Sequence, residues 1–161
     1  MKVWLDLPDD VPLQYLVLIE HVDVLPSLFG TIGVPPAVLS ELSHPVAPEA
    51  VRRWAVNKPD WLLIRVPRET LVAAHGTLGA GEREAIALAV ELSADALLMD
   101  DRDGRREAEK RNLTVFGTLR VLADAAHLGL LSLPVALDRL MRTNFRAAEQ
   151  LLRHLRALSG G

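Results

Sequence analysis

Acidic residues recur in this chain at places from which they could act together. Asp9 and Asp10 follow an apolar opening run, Glu41 closes a short helical stretch, Glu82 and Glu84 open a helix, and Asp100, Asp101 and Asp103 follow a second apolar run. Carboxylates crowded together repel and raise one another's pKa unless a cation neutralises them. A hard divalent ion such as Mg²⁺ or Mn²⁺ prefers oxygen donors and supplies that charge. The chemistry such ions serve is displacement at phosphorus, where they activate water and stabilise charge on the attacked phosphate. No other metal chemistry competes: cysteine is absent, and the five histidines (His21, His44, His75, His127, His154) lack metal-ligand spacing. Taken singly, each acid would serve equally well as a helix cap or turn residue. Asp6, Asp23, Asp60, Asp95 and Asp124 are read that way, so the inference rests on the joint arrangement.

Basic charge is mostly arginine, with lysine only at 2, 58 and 110. Arg102, Arg105, Arg106, Lys110 and Arg111 lie just beyond Asp100-Asp101, where they could hold a phosphate backbone beside a metal. A solvated helix face paired with Glu107 and Glu109 explains the same residues. No P-loop or G-x-S-x-G motif occurs. Gly79-Ala80-Gly81 lacks a clear preceding strand, and Glu82 and Glu84 would oppose a pyrophosphate there.

These residues need a scaffold, and the apolar pattern predicts one. Strands are expected at Lys2–Leu7, Thr31–Val34, Trp61–Val66, Asp95–Asp100 and Leu113–Phe116. Helices are expected from Pro12, at Asp23–Phe29, from Pro36 to Leu42, and at Ala50–Val56, Gly81–Leu92, Arg102–Arg111 and Thr118–Leu128. A tail from Pro134 to Leu158 reads as two amphipathic helices broken near Thr143-Asn144. Strands alternating with helices imply a parallel sheet covered on both faces. In such a sheet ligands bind outside the carboxyl ends of the strands. If the first and fourth strands are neighbours, the acidic groups from distant segments meet at that edge.

Composition bounds the rest. A chain of 161 residues, half hydrophobic, predicts one domain, and only 4% aromatic content leaves its core to Leu, Val, Ile and Ala. No apolar run is long enough for a membrane span, and the opening residues lack a signal pattern, so a cytoplasmic protein without membrane contact is expected. The formal charge of −3 gives no global attraction to nucleic acid. Cations bound among the acids would mask part of it and leave a locally arginine-rich rim.

Three stretches carry a family resemblance: Gly81-Glu82-Arg83-Glu84-Ala85-Ile86-Ala87-Leu88-Ala89, then Ala94-Asp95-Ala96-Leu97-Leu98-Met99-Asp100-Asp101, then Val115-Phe116-Gly117-Thr118-Leu119. With Pro12 to Phe29 and Val34 to Leu42, they resemble PIN-domain proteins, in the prokaryotic branch related to VapC-type toxin ribonucleases. The resemblance implies a three-layer α/β/α fold with a parallel sheet of about five strands in the order 3-2-1-4-5. A PIN-like nuclease domain would then occupy residues 1–128, and a helical C-terminal extension, 129–161, would pack on the same domain.

It also implies a site. Asp9, Glu84, Asp100 and Asp101 would bind Mg²⁺ or Mn²⁺, with Glu41 and Glu82 completing the catalytic set and Arg102, Arg105 and Arg106 meeting nucleic acid. The family's D-T/S-S/T-P reads Asp9-Asp10-Val11-Pro12 here, and Asp6 is a rival for the first-strand role. The expected function is a metal-dependent endoribonuclease acting on RNA, in the setting of a toxin–antitoxin pair. A catalytically silent module binding RNA or a protein is the alternative. A receiver-like signalling domain fits poorly, because Pro67-Arg68 and Gly117-Thr118 stand where its acceptor Asp and its Lys would be. Leu137, Leu140, Met141, Leu151, Leu152, Leu155 and Leu158 suggest apolar surface for a homodimer or a small antitoxin-like partner.

Overall fold

The computed structural model describes residues 2–5, 12–69 and 78–145, together with 153, 155 and 157. Asp6, Asp9, Asp10, His75, Leu151, Leu152, His154 and Leu158, all named above, lie outside these. Five short strands, β1 (Lys2–Leu5), β2 (Thr31–Val34), β3 (Leu62–Ile64), β4 (Ala96–Leu98) and β5 (Val115–Phe116), form one sheet. The order is β3-β2-β1-β4-β5 and every neighbouring pair is parallel. Leu5 pairs with Leu98, so β1 and β4 deliver the chain to the same edge.

Among the described residues, the helices that connect and clad the strands include α1 (Pro12–Leu18), α2 (Val24–Phe29), α3 (Pro36–Leu42), α4 (Glu49–Val56), α5 (Ala80–Glu91), α6 (Arg102–Lys110), α7 (Thr118–His127) and α8 (Leu133–Met141). β2 has the expected bounds, whereas β3, β4 and β5 are shorter than the apolar runs suggest, because only part of each run makes regular pairs. Backbone bonding nonetheless runs past β3: Ile32 N–H donates to the Trp61 carbonyl and Arg65 N–H to that of Val34. Helices α1, α5, α6 and α7 end alike, each on a residue with positive φ (Glu20, Ser93, Asn112, Gly129). The residue after it bonds back five positions, as in His21 to Leu16 and Ala94 to Ala89.

Strand β4 shows how the core divides. Side chains alternate across a strand, and Ala96 and Leu98 join one apolar cluster while Leu97 and Met99 join the other. The second cluster is closed by Ala85, Ile86, Leu88 and Ala89 of α5 and Ala108 of α6. The first is larger and takes in α1, α2, α3, α4, α7 and α8, with Tyr15 and Phe145 meeting edge to face at 4.9 Å. Leu137 and Leu140 of α8 are fully buried in this core, whereas Met141 is exposed. Among the described residues no helix is long and apolar enough to cross a membrane.

Candidate active site

The β4–α6 turn hands two consecutive carboxylates to two different helices. Asp100 reaches across to α7: the Thr118 N–H donates to Oδ1 at 2.9 Å and the Thr118 hydroxyl to Oδ2 at 2.5 Å. Thr118 is fully buried, so its hydroxyl has a fixed partner in place of water. Gly117, just before α7, leaves little space for a side chain: a Cβ there would lie 2.9 Å from Asp100 Oδ1 and 3.0 Å from Arg105 Nη1. Asp101 turns the other way and caps α6, accepting from the Gly104 N–H at 2.8 Å. Both carboxylates therefore face N-terminal backbone donors, where the helix dipole favours negative charge.

The start of α5 is different. Glu82 is only 3% exposed, and its Oε2 accepts from the Gly79 N–H at 3.0 Å, closing the first turn. Burial pushes its carboxyl up to about 7; the Gly79 hydrogen bond opposes this, and the charges of Asp101, Asp103 and Glu41 reinforce it. Among the described residues the charges that shift Glu82 are all negative. Glu84, two residues on, accepts from the Ala37 N–H at 3.2 Å and so ties α5 to the first turn of α3. Glu41 sits one turn further along α3, half-buried.

The geometry thus brings Glu41, Glu82, Asp101 and Asp103 into one electrostatic neighbourhood and turns Asp100 and Glu84 toward helix starts. Asp9 lies outside the described residues, as does its rival Asp6. Among the described residues no three Asp, Glu or His side chains stand together as a metal cluster. Sequence reasoning left Asp103 out of the catalytic set, although it stands two residues past Asp101. It also gave Gly117 and Thr118 no role, although both lie in a stretch singled out for its pattern.

The arginines divide. Lys110 and Arg111 both pair with Glu107, which is buried, so these two serve the helix itself. Arg102 and Arg106 are exposed and Arg105 half-buried, and none of the three has an ion pair among the described residues. Arg120 lies over the Phe116 ring, 3.8 Å from its centroid, at the same end of β5.

Residues 8–160 match DUF3368, a PIN-domain family. The chain belongs to the PIN-domain family. A solved structure of a PilT N-terminus domain protein from the hyperthermophilic archaeon Sulfolobus solfataricus P2 has the same fold, with TM-score 0.55 at 17% identity. The match covers 78% of this chain and 93% of the archaeal one. No curated protein matches.

PIN domains are commonly nucleases, commonly bind nucleic acid, and generally use divalent metal ions. The donor chemistry of this PIN domain suits such an ion. Its candidate ligands are all carboxylates, and Glu82 is held in a field of like charge that a bound cation would relieve.

Proposed function

We propose that this PIN domain is a metal-dependent endoribonuclease. The observation that carries the proposal is the buried Glu82 carboxyl, raised to about 7 beside Glu41, Asp101 and Asp103 at the carboxyl edge of a parallel sheet. Asp9, Glu84, Asp100 and Asp101 would hold Mg²⁺ or Mn²⁺. When bound, the ion lowers the pKa of water and offsets charge on the attacked phosphate. Glu82, poised near neutrality, accepts the proton of the attacking water. Glu41 orients that water from α3. The water oxygen bonds to phosphorus as the P–O3′ bond breaks, and the departing O3′ takes a proton from solvent while Glu82 gives up its own, leaving a 5′-phosphate and a 3′-hydroxyl. Arg102, Arg105 and Arg106 take the flanking phosphates. The family resemblance extends the reading to the toxin of a toxin–antitoxin pair, held by a small antitoxin-like protein.

The test is cleavage of fluorescent single-stranded RNA with Mg²⁺ or Mn²⁺, comparing the natural chain with Glu82→Gln and with the double variant Asp100→Asn/Asp101→Asn. Metal-dependent cleavage, lost in both variants, is expected. No cleavage with either ion, or no effect of the substitutions, would remove the proposal. One observation favours a second reading, a module that binds RNA or protein without cutting: both oxygens of Asp100 are already engaged by Thr118. Calorimetric titration with Mn²⁺ separates the two, because a silent module binds no metal through these carboxylates.

A further inference from the structure

A cleft of about 630 Å³ opens beside Glu41, and its walls come from three separate parts of the chain. Gln14 of α1 forms one side, Asn144 after α8 another, and the 44–48 loop the third, through His44, Val46 and Pro48. Its volume lies within the range of ligand clefts, roughly 300–1,000 Å³. Among the described residues its lining is mostly uncharged and hydrogen-bonding, with the carboxamides of Gln14 and Asn144 and the His44 ring beside Glu41. That lining suits a neutral group rich in hydrogen-bond donors and acceptors.

The walls are fixed before any ligand arrives. Gln14 precedes Tyr15, and Asn144 precedes Phe145; those two rings meet edge to face at 4.9 Å in the core. The ring contact holds α1 against the turn after α8, and with it the backbone that carries the two carboxamides. Thr143 tightens the turn that carries Asn144, its hydroxyl donating to the Leu140 carbonyl at 2.6 Å and accepting from the Phe145 N–H at 3.1 Å. Across the cleft, the His44 N–H donates to the Glu41 carbonyl at 3.1 Å, and the Ala47 N–H to that of His44 at 2.9 Å. Arg52 Nε donates to the Ala47 carbonyl at 3.0 Å, closing the loop from behind. The Val46 N–H donates to His44 Nδ1 at 3.2 Å, which in the neutral ring leaves Nε2 as the donor.

We propose that this cleft is a nucleobase subsite, taking an unstacked base of single-stranded RNA next to the phosphate being cut. Carboxamides offer a donor and an acceptor in one plane, the pattern that matches a base edge. Sequence-specific recognition of RNA works mainly on such splayed bases. Glu41 belongs both to this cleft and to the acidic neighbourhood of Glu82, so the cleft adjoins the proposed chemistry. The inference rests on the ribonuclease reading for its substrate, but its test does not depend on cleavage.

With the protein ¹⁵N-labelled and divalent ions removed by chelator, the side-chain amide resonances of Gln14 and Asn144 are followed during titration with a single-stranded RNA hexamer. A second hexamer has the same ribose–phosphate backbone but lacks bases. The base-bearing RNA is expected to shift both amides while the abasic RNA leaves them in place. Gln14→Ala and Asn144→Ala should each cut the preference for the base-bearing RNA about fivefold, one hydrogen bond's worth. The same spectra report that each variant is folded. If neither amide moves, or if both RNAs move them alike, the subsite is wrong. Shifts without metal-dependent cleavage would sink the ribonuclease reading and keep the cleft; cleavage without shifts would do the reverse.

Discussion

Two turns of this molecule present carboxylates to the same sheet edge and treat them in opposite ways. At the β4–α6 turn, Asp100 and Asp101 each accept from the start of a helix, with three hydrogen bonds between them. Their negative charge is part of what holds α6 and α7 against the sheet. At the start of α5, Glu82 is more deeply buried, accepts one backbone hydrogen bond, and is repelled by Asp101, Asp103 and Glu41. A carboxylate at a helix N-terminus is thus stabilised or burdened according to what surrounds it. The stabilised pair gives the edge its shape, and the burdened residue gives it a group that exchanges a proton near neutral pH.

Removing Asp100 should have the largest effect. Asp100→Ala leaves the buried Thr118 N–H and hydroxyl without their acceptor, and two unsatisfied buried donors should cost about 3 kcal/mol in a urea melt. Asp100→Asn keeps one carbonyl acceptor and should lose about half of that. A loss below about 1 kcal/mol for Asp100→Ala would mean that the Thr118 contacts do not anchor α7.

Glu82→Gln should act in the other direction and depend on pH. The folded-state value of about 7 lies above the ordinary 4.5, so between them the folded chain binds more protons than the unfolded one. Stability therefore falls as pH rises through that window, and the deficit is complete above about pH 7. Glutamine has no charge to bury. At pH 8 the variant should be more stable than the natural chain by about 2 kcal/mol, and the difference should vanish near pH 4. Equal stability of the two at pH 8 would show that Glu82 carries no such burden. Added Mn²⁺ should narrow the gap by stabilising the natural chain, because an ion that binds only the folded form adds to its stability.

Gly117→Ala tests the spacing between the two helices. The new Cβ would press on Asp100 Oδ1 at 2.9 Å and Arg105 Nη1 at 3.0 Å. The arginine end can swing aside, but the carboxylate is held by Thr118. A cost of about 1–2 kcal/mol is expected, read as a lower midpoint in the same melts, and a neutral result would mean that the Asp100 carboxylate gives way freely.

Much of this edge is legible in the residues alone, and for a physical reason. Apolar runs such as Trp61–Val66 and Asp95–Asp100 mark buried parallel strands, and the residues just after a strand must lie at its carboxyl end. That rule puts Asp100, Asp101 and the Glu82-Glu84 turn near one another from residue order alone. The partners of each acid are not legible. Nothing local distinguishes an aspartate that caps its own helix, as Asp101 does, from one that reaches 18 residues on to Thr118. Glu84 bonding the α3 backbone 47 residues away is beyond sequence spacing altogether. The arginines are half legible: i,i+3 and i,i+4 spacing marks Lys110 and Arg111 as partners of Glu107, but it cannot rank the remaining three. The cleft beside Glu41 leaves no local signal, since Gln14, His44 and Asn144 come from three separate parts of the chain that only tertiary packing brings together.

The smallest effect isolates charge from capping. Asp103 is exposed, and among the described contacts its carboxylate caps no helix, yet its charge reaches Glu82. Asp101 both caps α6 and repels Glu82. Asp103→Asn should therefore lower the Glu82 pKa slightly and leave stability near pH 5 unchanged, whereas Asp101→Ala should lower the pKa and also weaken α6 by removing its cap. For an exposed charge the interaction is worth about 0.5 kcal/mol or less, within reach of a carbon-detected NMR titration of the Glu82 carboxyl. Salt sharpens the distinction. At roughly 1 M the screening length falls to about 3 Å, so the Asp103→Asn shift should disappear while the capping loss in Asp101→Ala persists. If salt abolished both effects, capping would not be what Asp101 contributes, and the contrast between the two turns would reduce to one of charge density.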